Sequence, residues 1–277
     1  MDPSRRRQRI SGVGLQITTI LAFLFSLLLQ VGVPLGVALR FRRKTLTPWA
    51  PFFMGALVFA AFQLFTWLPL STYLDAVAAA RGQSEAQSFV WLLTMAFAGS
   101  LLEEVGRLWG YGFLFRRRNV RLNWRNGVMF GLGHGAVESM LFIAGLTFVY
   151  LLAYVALNAV GLEPILESLG ADATPAYRDA LEGIADTTWT QPAVVAFERV
   201  VGLIHQVAWA LLVMQTLVSR QKRWFGFAVL YHASVAVIVP GLVRLAGVPV
   251  AEAANAALAV LSLWIILSLR ATATAPA

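Results

Sequence analysis

The chain has 277 residues, a formal net charge of +8 and no cysteine; 58% of its residues are hydrophobic and only 13% are charged. Soluble domains carry roughly a quarter charged residues, so this composition excludes an ordinary soluble protein and favours a membrane protein. The missing cysteines exclude disulfides, thiolate nucleophiles and sulfur-ligated metals. The basic residues form short clusters between long apolar runs, which is typical of topology signals, so nucleic acid is not an expected partner.

Seven apolar stretches are long enough to cross a bilayer, which takes about 20 residues in a helix. They cover residues 13–39, 49–74, 89–115, 126–160, 192–219, 225–246 and 250–270. The sequence therefore predicts an all-α fold, a polytopic membrane helix bundle of about seven transmembrane helices. We expect these helices to form a single integral membrane domain over residues 1–277.

Basic clusters in alternate connections predict the orientation in the cell (plasma) membrane. The clusters at 40–44, 116–125 and 220–223 lie on one side with Arg270, and the positive-inside rule assigns that side to the cytoplasm. The N-terminus is then outside and the C-terminus inside. In this topology the arginines within residues 5–9 lie on the outer side, against the rule.

The connection at 161–191 is long and acidic, and it should face outward. Apart from Arg178 its charged residues are all acidic: Glu163, Glu167, Asp172, Asp179, Glu182 and Asp186. Thr174 and Pro175 are typical of a helix N-cap and first helical position, so a short surface helix is predicted there. We interpret the segment as an ordinary solvated connection; a lid over the membrane domain is the alternative.

Ionisable residues are concentrated inside the predicted spans, where each costs several kcal/mol unless it faces a polar site. Counted at about 1.5 Å per residue, acids and imidazoles from four helices fall in one layer between the cytoplasmic face and the midplane. This shared depth predicts a functional site. Its candidate members are Glu103, Glu104 and Arg107 on the third span, His134 and Glu138 on the fourth, His205 on the fifth, and His232 on the sixth. Glu198 and Arg199 are also ionisable residues of the fifth span, but they lie near its outer end and could be interfacial.

Spacing along the helices agrees with one site. Glu103 and Arg107 are four residues apart, so the arginine can pair with that carboxylate on one helix face. His134 and Glu138 have the same spacing. Glycines at 131, 133 and 135 thin the helix around His134, which lets a neighbouring helix or a substrate backbone approach closely.

These residue types can supply a hydrolytic site. Two or three imidazoles and a carboxylate can hold zinc with one position open for water. A further glutamate can act as general base, and Arg107 can steady a carboxylate or a developing oxyanion. Without a metal, a buried glutamate could activate water with help from histidine. The chain contains no HExxH, no GxSxG and no phosphate-binding glycine loop.

Four elements resemble the YhfC family of intramembrane metalloproteases, which is grouped with the PrsW and CAAX-protease/bacteriocin-processing (CPBP) enzymes. They are Glu103-Glu104-Val105-Gly106-Arg107, then Gly131-Leu132-Gly133-His134-Gly135-Ala136-Val137-Glu138, then Glu198-Arg199 with His205, and finally His232. The order and spacing cover residues 100 to 240. The resemblance departs at Ala236, where related enzymes commonly have Asp or Asn four residues after the last histidine.

The resemblance implies an intramembrane metallo-endopeptidase that hydrolyses a peptide bond of a membrane protein or membrane-bound peptide, in contact with the lipid bilayer. We expect Glu103 or Glu104 as general base and Arg107 paired with a carboxylate. Glu138 is either a fourth metal ligand or a residue that orients a ligand. The predicted ligands of the zinc ion are His134, His205 and His232.

The alternative is a non-catalytic membrane protein with a protease-like polar interior, either a proton-coupled transporter or a partner-binding scaffold. A transporter commonly shows an inverted repeat with interrupted helices in matching positions. We find no such repeat, which counts against the transporter.

Overall fold

The computed structural model describes residues 16–80, 82, 84–170 and 174–274, and no strand occurs in these ranges. The arginines within residues 5–9 and Asp172, used above, lie outside the described residues. Seven helices of the described part are long and apolar enough to cross a membrane, which confirms the all-α prediction of about seven spans.

The helices are labelled here in chain order. The seven spans are α1 (Ile17–Thr45), α2 (Ala50–Ala80), α3 (Gln87–Phe115), α4 (Trp124–Val160), α7 (Thr190–Val218), α8 (Arg223–Ala246) and α9 (Val248–Arg270). Two short helices, α5 (Leu162–Leu169) and α6 (Pro175–Ala185), lie in the acidic connection.

Helix ends follow local chemistry. α4 and α8 end where the sequence predicts, each at a glycine with positive φ, Gly161 (93°) and Gly247 (85°), a backbone conformation that glycine adopts without steric cost. α1 instead runs past the predicted end at 39 through its basic last turn. Hydropathy marks the apolar part of a helix, whereas the backbone hydrogen bonds continue into the charged residues beyond it.

Three of the described spans contain a π-helical segment, which the sequence does not reveal. The segments are Ala60–Trp67 in α2, Gly110–Phe115 in α3 and Glu138–Ile143 in α4. A π-helical segment changes the direction of the side chains that follow it, and such segments are frequent at functional sites. The segments of α2 and α4 contribute to the site described below.

Two compact units are distinguished by their internal contacts. The first unit comprises the chain up to Val31 together with Ile143–Phe197, and the second comprises Gly32–Phe142 together with the chain from Glu198 onward. All candidate site residues belong to the second unit. We retain a single integral membrane domain as a proposal.

In the first unit, the acidic connection packs on the second half of α4. Thr174 accepts a hydrogen bond from the backbone N–H of Tyr177, which confirms the predicted N-cap of α6. The side-chain amide of Asn158 donates to the carbonyl of Ala185 at 3.2 Å. A hydrogen bond from Arg178 lowers the pKa of the exposed Glu163 carboxyl.

In the second unit, glycines let helix backbones approach one another closely. A Cβ atom built on Gly133 would lie 1.8 Å from the carbonyl oxygen of Phe52, and one on Gly55 would lie 2.0 Å from that of Phe130. A Cβ on Gly131 would lie 2.7 Å from Cα of Val207. The close approach that the sequence predicts around His134 is therefore made by α2 and α7.

Replacing Gly133 by alanine should destabilise the protein strongly. The new methyl group cannot fit beside the Phe52 carbonyl without moving α2, and such overpacking typically costs about 1–3 kcal/mol, occasionally more. Thermal unfolding of detergent-purified protein measures the effect. Gly226→Ala is the matched control in α8, because nothing lies within 4 Å of its added Cβ. Equal unfolding temperatures for the two variants would contradict the close packing.

Candidate active site

Five of the residues predicted for the site meet in the second unit. Glu103, Glu104 and Arg107 lie on α3, His134 lies on α4 and His232 lies on α8. Glu104, Arg107 and His134 are completely buried at 0% exposure, and Glu103 is 3% exposed. Buried ionisable groups at this density require mutual pairing, because an unpaired charge away from water is costly.

Arg107 joins the two carboxylates. Its Nη1 donates to Oε1 of Glu104 and its Nη2 donates to Oε1 of Glu103. The spacings of three and four residues place all three side chains on one side of α3. Nη2 also donates to the side-chain oxygen of Gln206. The guanidinium is therefore fully buried and pairs with both carboxylates.

Each carboxylate also binds one imidazole. Nε2 of His134 lies 3.0 Å from Oε1 of Glu103, and Nδ1 of His232 lies 2.8 Å from Oε1 of Glu104. An ionised carboxylate only accepts hydrogen bonds, so these ring nitrogens are the donors when both acids are ionised. The site therefore consists of two carboxylate–imidazole pairs joined by one guanidinium.

Glu138 joins the cluster through Gln206. The amide nitrogen of Gln206 donates to Oε2 of Glu138 at 2.7 Å, while its oxygen accepts from Arg107. Oε1 of Glu138 accepts from Nη1 of Arg199 at 2.8 Å. Our sequence reasoning missed Gln206 because it considered ionisable residues only. The sequence feature that could have identified Gln206 is the presence of a side-chain amide inside an apolar span, directly after His205.

His205 makes its hydrogen bonds elsewhere. Its Nδ1 lies 2.8 Å from the hydroxyl of Ser262 and its Nε2 lies 3.3 Å from Oδ1 of Asn255, both on α9. Its ring stacks on that of Trp209, which also stacks on His232 with 3.8 Å between centroids. In the described structure, then, His205 contacts neither carboxylate, and its assignment as a ligand stays a prediction.

A cavity of about 70 Å³ borders the cluster. It is lined by Phe59, Gln63, Leu64, Leu68, Glu103, Glu138 and Phe142. A cavity of this volume is large enough to admit water. Glu103 lines this cavity, whereas Glu104 is not among its lining residues. Glu103 is therefore the member of the glutamate pair that water can reach.

The chain matches a family model described as "YhfC intramembrane metalloprotease" over residues 25–259. It is also similar to "Uncharacterized membrane protein YhfC" from Bacillus subtilis (strain 168). The two are 26% identical over 202 residues, which cover 73% of this chain and 76% of the relative. No solved structure matches. The description of the matched family implies a metal ion.

The donors present do not fit a metal ion in the described arrangement. The guanidinium of Arg107 bridges the two carboxylates, and this fixed cation repels a second one. Oε2 of Glu104 and Nδ1 of His134 are buried without a hydrogen-bond partner. Among the described residues, however, no group of three or more His, Asp or Glu side chains could hold a metal together.

Proposed function

The chain belongs to the YhfC intramembrane metalloprotease family, and we propose that it is a membrane-embedded endopeptidase in which Glu103 activates the attacking water. Its substrate would be a membrane protein or a membrane-bound peptide, cleaved within or near the bilayer. The observation that carries the proposal is the contact of a buried, charge-paired glutamate with a water-sized cavity inside a membrane-spanning helix bundle.

Glu103 is better suited to the role of general base than the other two glutamates. Glu104 does not line the cavity. Both oxygens of Glu138 are engaged, one with Arg199 and the other with Gln206. The hydrogen bonds to Glu103 within the described chain both end on Oε1, which leaves Oε2 to accept a proton from water. A base must lie within hydrogen-bonding reach of the proton that it removes.

The proposed reaction needs one water and one proton carrier. The water oxygen forms a bond with the carbonyl carbon of the substrate peptide, the C=O π pair moves onto the carbonyl oxygen, and Glu103 accepts one proton from that water; the pair re-forms the C=O bond when the C–N bond breaks. When the C–N bond breaks, the same proton passes from Glu103 to the departing nitrogen, which gives a new carboxyl and a new amino terminus. Arg107 and His134 hold the carboxylate in place during both transfers.

Zinc remains the metal that the sequence predicts, but the proposed steps use only side chains of the chain itself, because Arg107 already bridges the carboxylates.

We further propose that the protein lies in the plasma membrane with its C-terminus in the cytoplasm. This orientation rests on the basic clusters at 40–44, 116–125 and 220–223.

The purified protein, reconstituted in liposomes, should cleave a synthetic peptide that spans the membrane once and carries a central Gly–Ala pair. Mass spectrometry of the products identifies the broken bond. From the position of Arg107 we expect cleavage to persist after treatment with a zinc chelator, and zinc content to be well below one atom per chain.

Two results would contradict this proposal in different ways. One zinc per chain, lost in both His134→Ala and His232→Ala, would establish the metal site that the sequence predicts and overturn the metal-free steps. Absence of cleavage would instead support a non-catalytic protein, provided that thermal unfolding and gel filtration show the protein to be folded.

A further inference from the structure

Gln63 is an uncharged polar residue in the lining of the cavity beside Glu103. The residue is half-buried in α2 and lines the cavity together with Glu103 and Glu138. Its Oε1 atom is buried and has no hydrogen-bond partner in the described part of the chain. A buried polar atom without a partner destabilises the protein, so its presence at a cavity calls for an explanation.

Gln63 lies in an irregular part of its helix. Gln63 and Leu64 belong to the π-helical segment Ala60–Trp67, and Glu138 and Phe142 belong to the segment Glu138–Ile143. Residues of two π-helical segments therefore line the same cavity. In a regular α-helix successive residues are separated by about 100° around the axis, so a change in register would turn the amide to another direction.

We propose that Gln63 binds the backbone of the substrate next to the bond that is cleaved, in a pocket that accepts only a small side chain. This inference rests on the proposed peptide hydrolysis. A side-chain amide carries both a donor and an acceptor and therefore matches the N–H and C=O groups of a peptide. Inside a membrane, an unwound substrate segment meets little water beyond that in the cavity, so a protein amide can satisfy its free N–H and C=O groups.

The size of the cavity limits the side chain beside the scissile bond. Apart from its polar groups, the lining is apolar and bulky: Phe59, Leu64, Leu68 and Phe142. Its volume is about 70 Å³, less than half of the about 150 Å³ that accommodates a benzene ring. A cavity of this volume favours glycine, alanine or serine over an aromatic side chain beside the scissile bond.

Binding to a cleavage-deficient protein tests the inference separately from hydrolysis. The probe is a fluorescent single-span peptide with a central Gly–Ala pair, and its affinity for Glu103→Gln is measured in detergent micelles by fluorescence anisotropy. Adding Gln63→Leu should weaken binding about tenfold, equivalent to about 1.4 kcal/mol. Gln215→Leu is the matched control, because Gln215 lines a different hollow, next to Asn123 and Met214, and it should leave the affinity unchanged.

Two further arms keep the test decisive. Gln63→Asn retains the amide group but shortens the side chain by one methylene, so it should also weaken binding. This variant replaces Gln63→Leu in the test if Gln63→Leu does not fold. A peptide with phenylalanine in place of the central alanine should bind at least tenfold more weakly. The inference is overturned if the substitutions of Gln63 leave the affinity unchanged, if both peptides bind with equal affinity or if neither peptide binds.

The same peptide, incubated with the wild-type protein, separates the two proposals. Binding that depends on Gln63 without any cleavage would refute the hydrolysis and leave the binding site intact. Cleavage that is insensitive to Gln63 would support the hydrolysis and refute the binding site.

Discussion

Glu103→Gln should lower the rate of peptide cleavage by about 10²–10⁴-fold, the usual contribution of a general base. Glutamine has the same shape as glutamate, and its oxygen can still accept hydrogen bonds from Arg107 and His134. We therefore expect the helices to keep their positions while the group that removes the proton is lost. Initial cleavage rates of the single-span peptide in liposomes, with thermal unfolding as the folding check, measure this result.

Two variants of the other glutamates serve as controls for this prediction. Glu104→Gln and Glu138→Gln remove the same charge from neighbouring positions of one cluster. We expect smaller losses of rate, because Glu104 does not line the cavity and both oxygens of Glu138 are paired. If Glu138→Gln abolished cleavage while Glu103→Gln remained active, Glu138 would be the base.

The number of spans is readable from the sequence because a lipid-facing helix must be apolar over its whole length. The three π-helical segments are not readable in this way. Hydropathy averages over many residues, whereas a π-helical segment depends on side-chain packing between neighbouring helices. Gln63, which lines the cavity, belongs to one such segment, and the direction of its side chain is not predictable from regular helix geometry.

Within the candidate site, local spacing is informative and long-range pairing is not. The spacing of Glu103 and Arg107 predicts their contact, which the structure contains. The common depth of three histidines does not determine which carboxylate each one meets. His134 and His232 bind different glutamates, while His205 turns to Ser262. Depth along a helix axis leaves the direction around that axis open, and hydrogen-bond partners on other helices decide it.

The cluster also shows why a buried arginine suits this position. A guanidinium cannot be deprotonated in proteins and offers donors in a planar fork. Arg107 uses that fork to contact two carboxylates and one amide at once. Its removal should therefore have a larger effect on stability than the loss of any single hydrogen bond in the site.

Arg107→Met should destabilise the protein by about 3–5 kcal/mol, the usual cost of removing one partner from a buried ion pair. Both glutamates would then be buried without a neighbouring guanidinium, since their side chains are at most 4% exposed. Thermal unfolding and the yield of monodisperse protein measure the effect. Arg199→Met is the control; its side chain is 20% exposed and its partner Glu138 is 24% exposed, so this pair is less completely buried and its loss should cost less.

A second substitution should partly rescue Arg107→Met, because the instability comes from buried carboxylates and not from lost volume. Adding Glu104→Gln removes one of the two uncompensated charges, and we expect stability to rise above that of Arg107→Met alone. Groups in direct contact show coupling energies of about 0.5–3 kcal/mol in double-mutant cycles. Additive effects of the two substitutions would mean that the guanidinium does not balance these carboxylates.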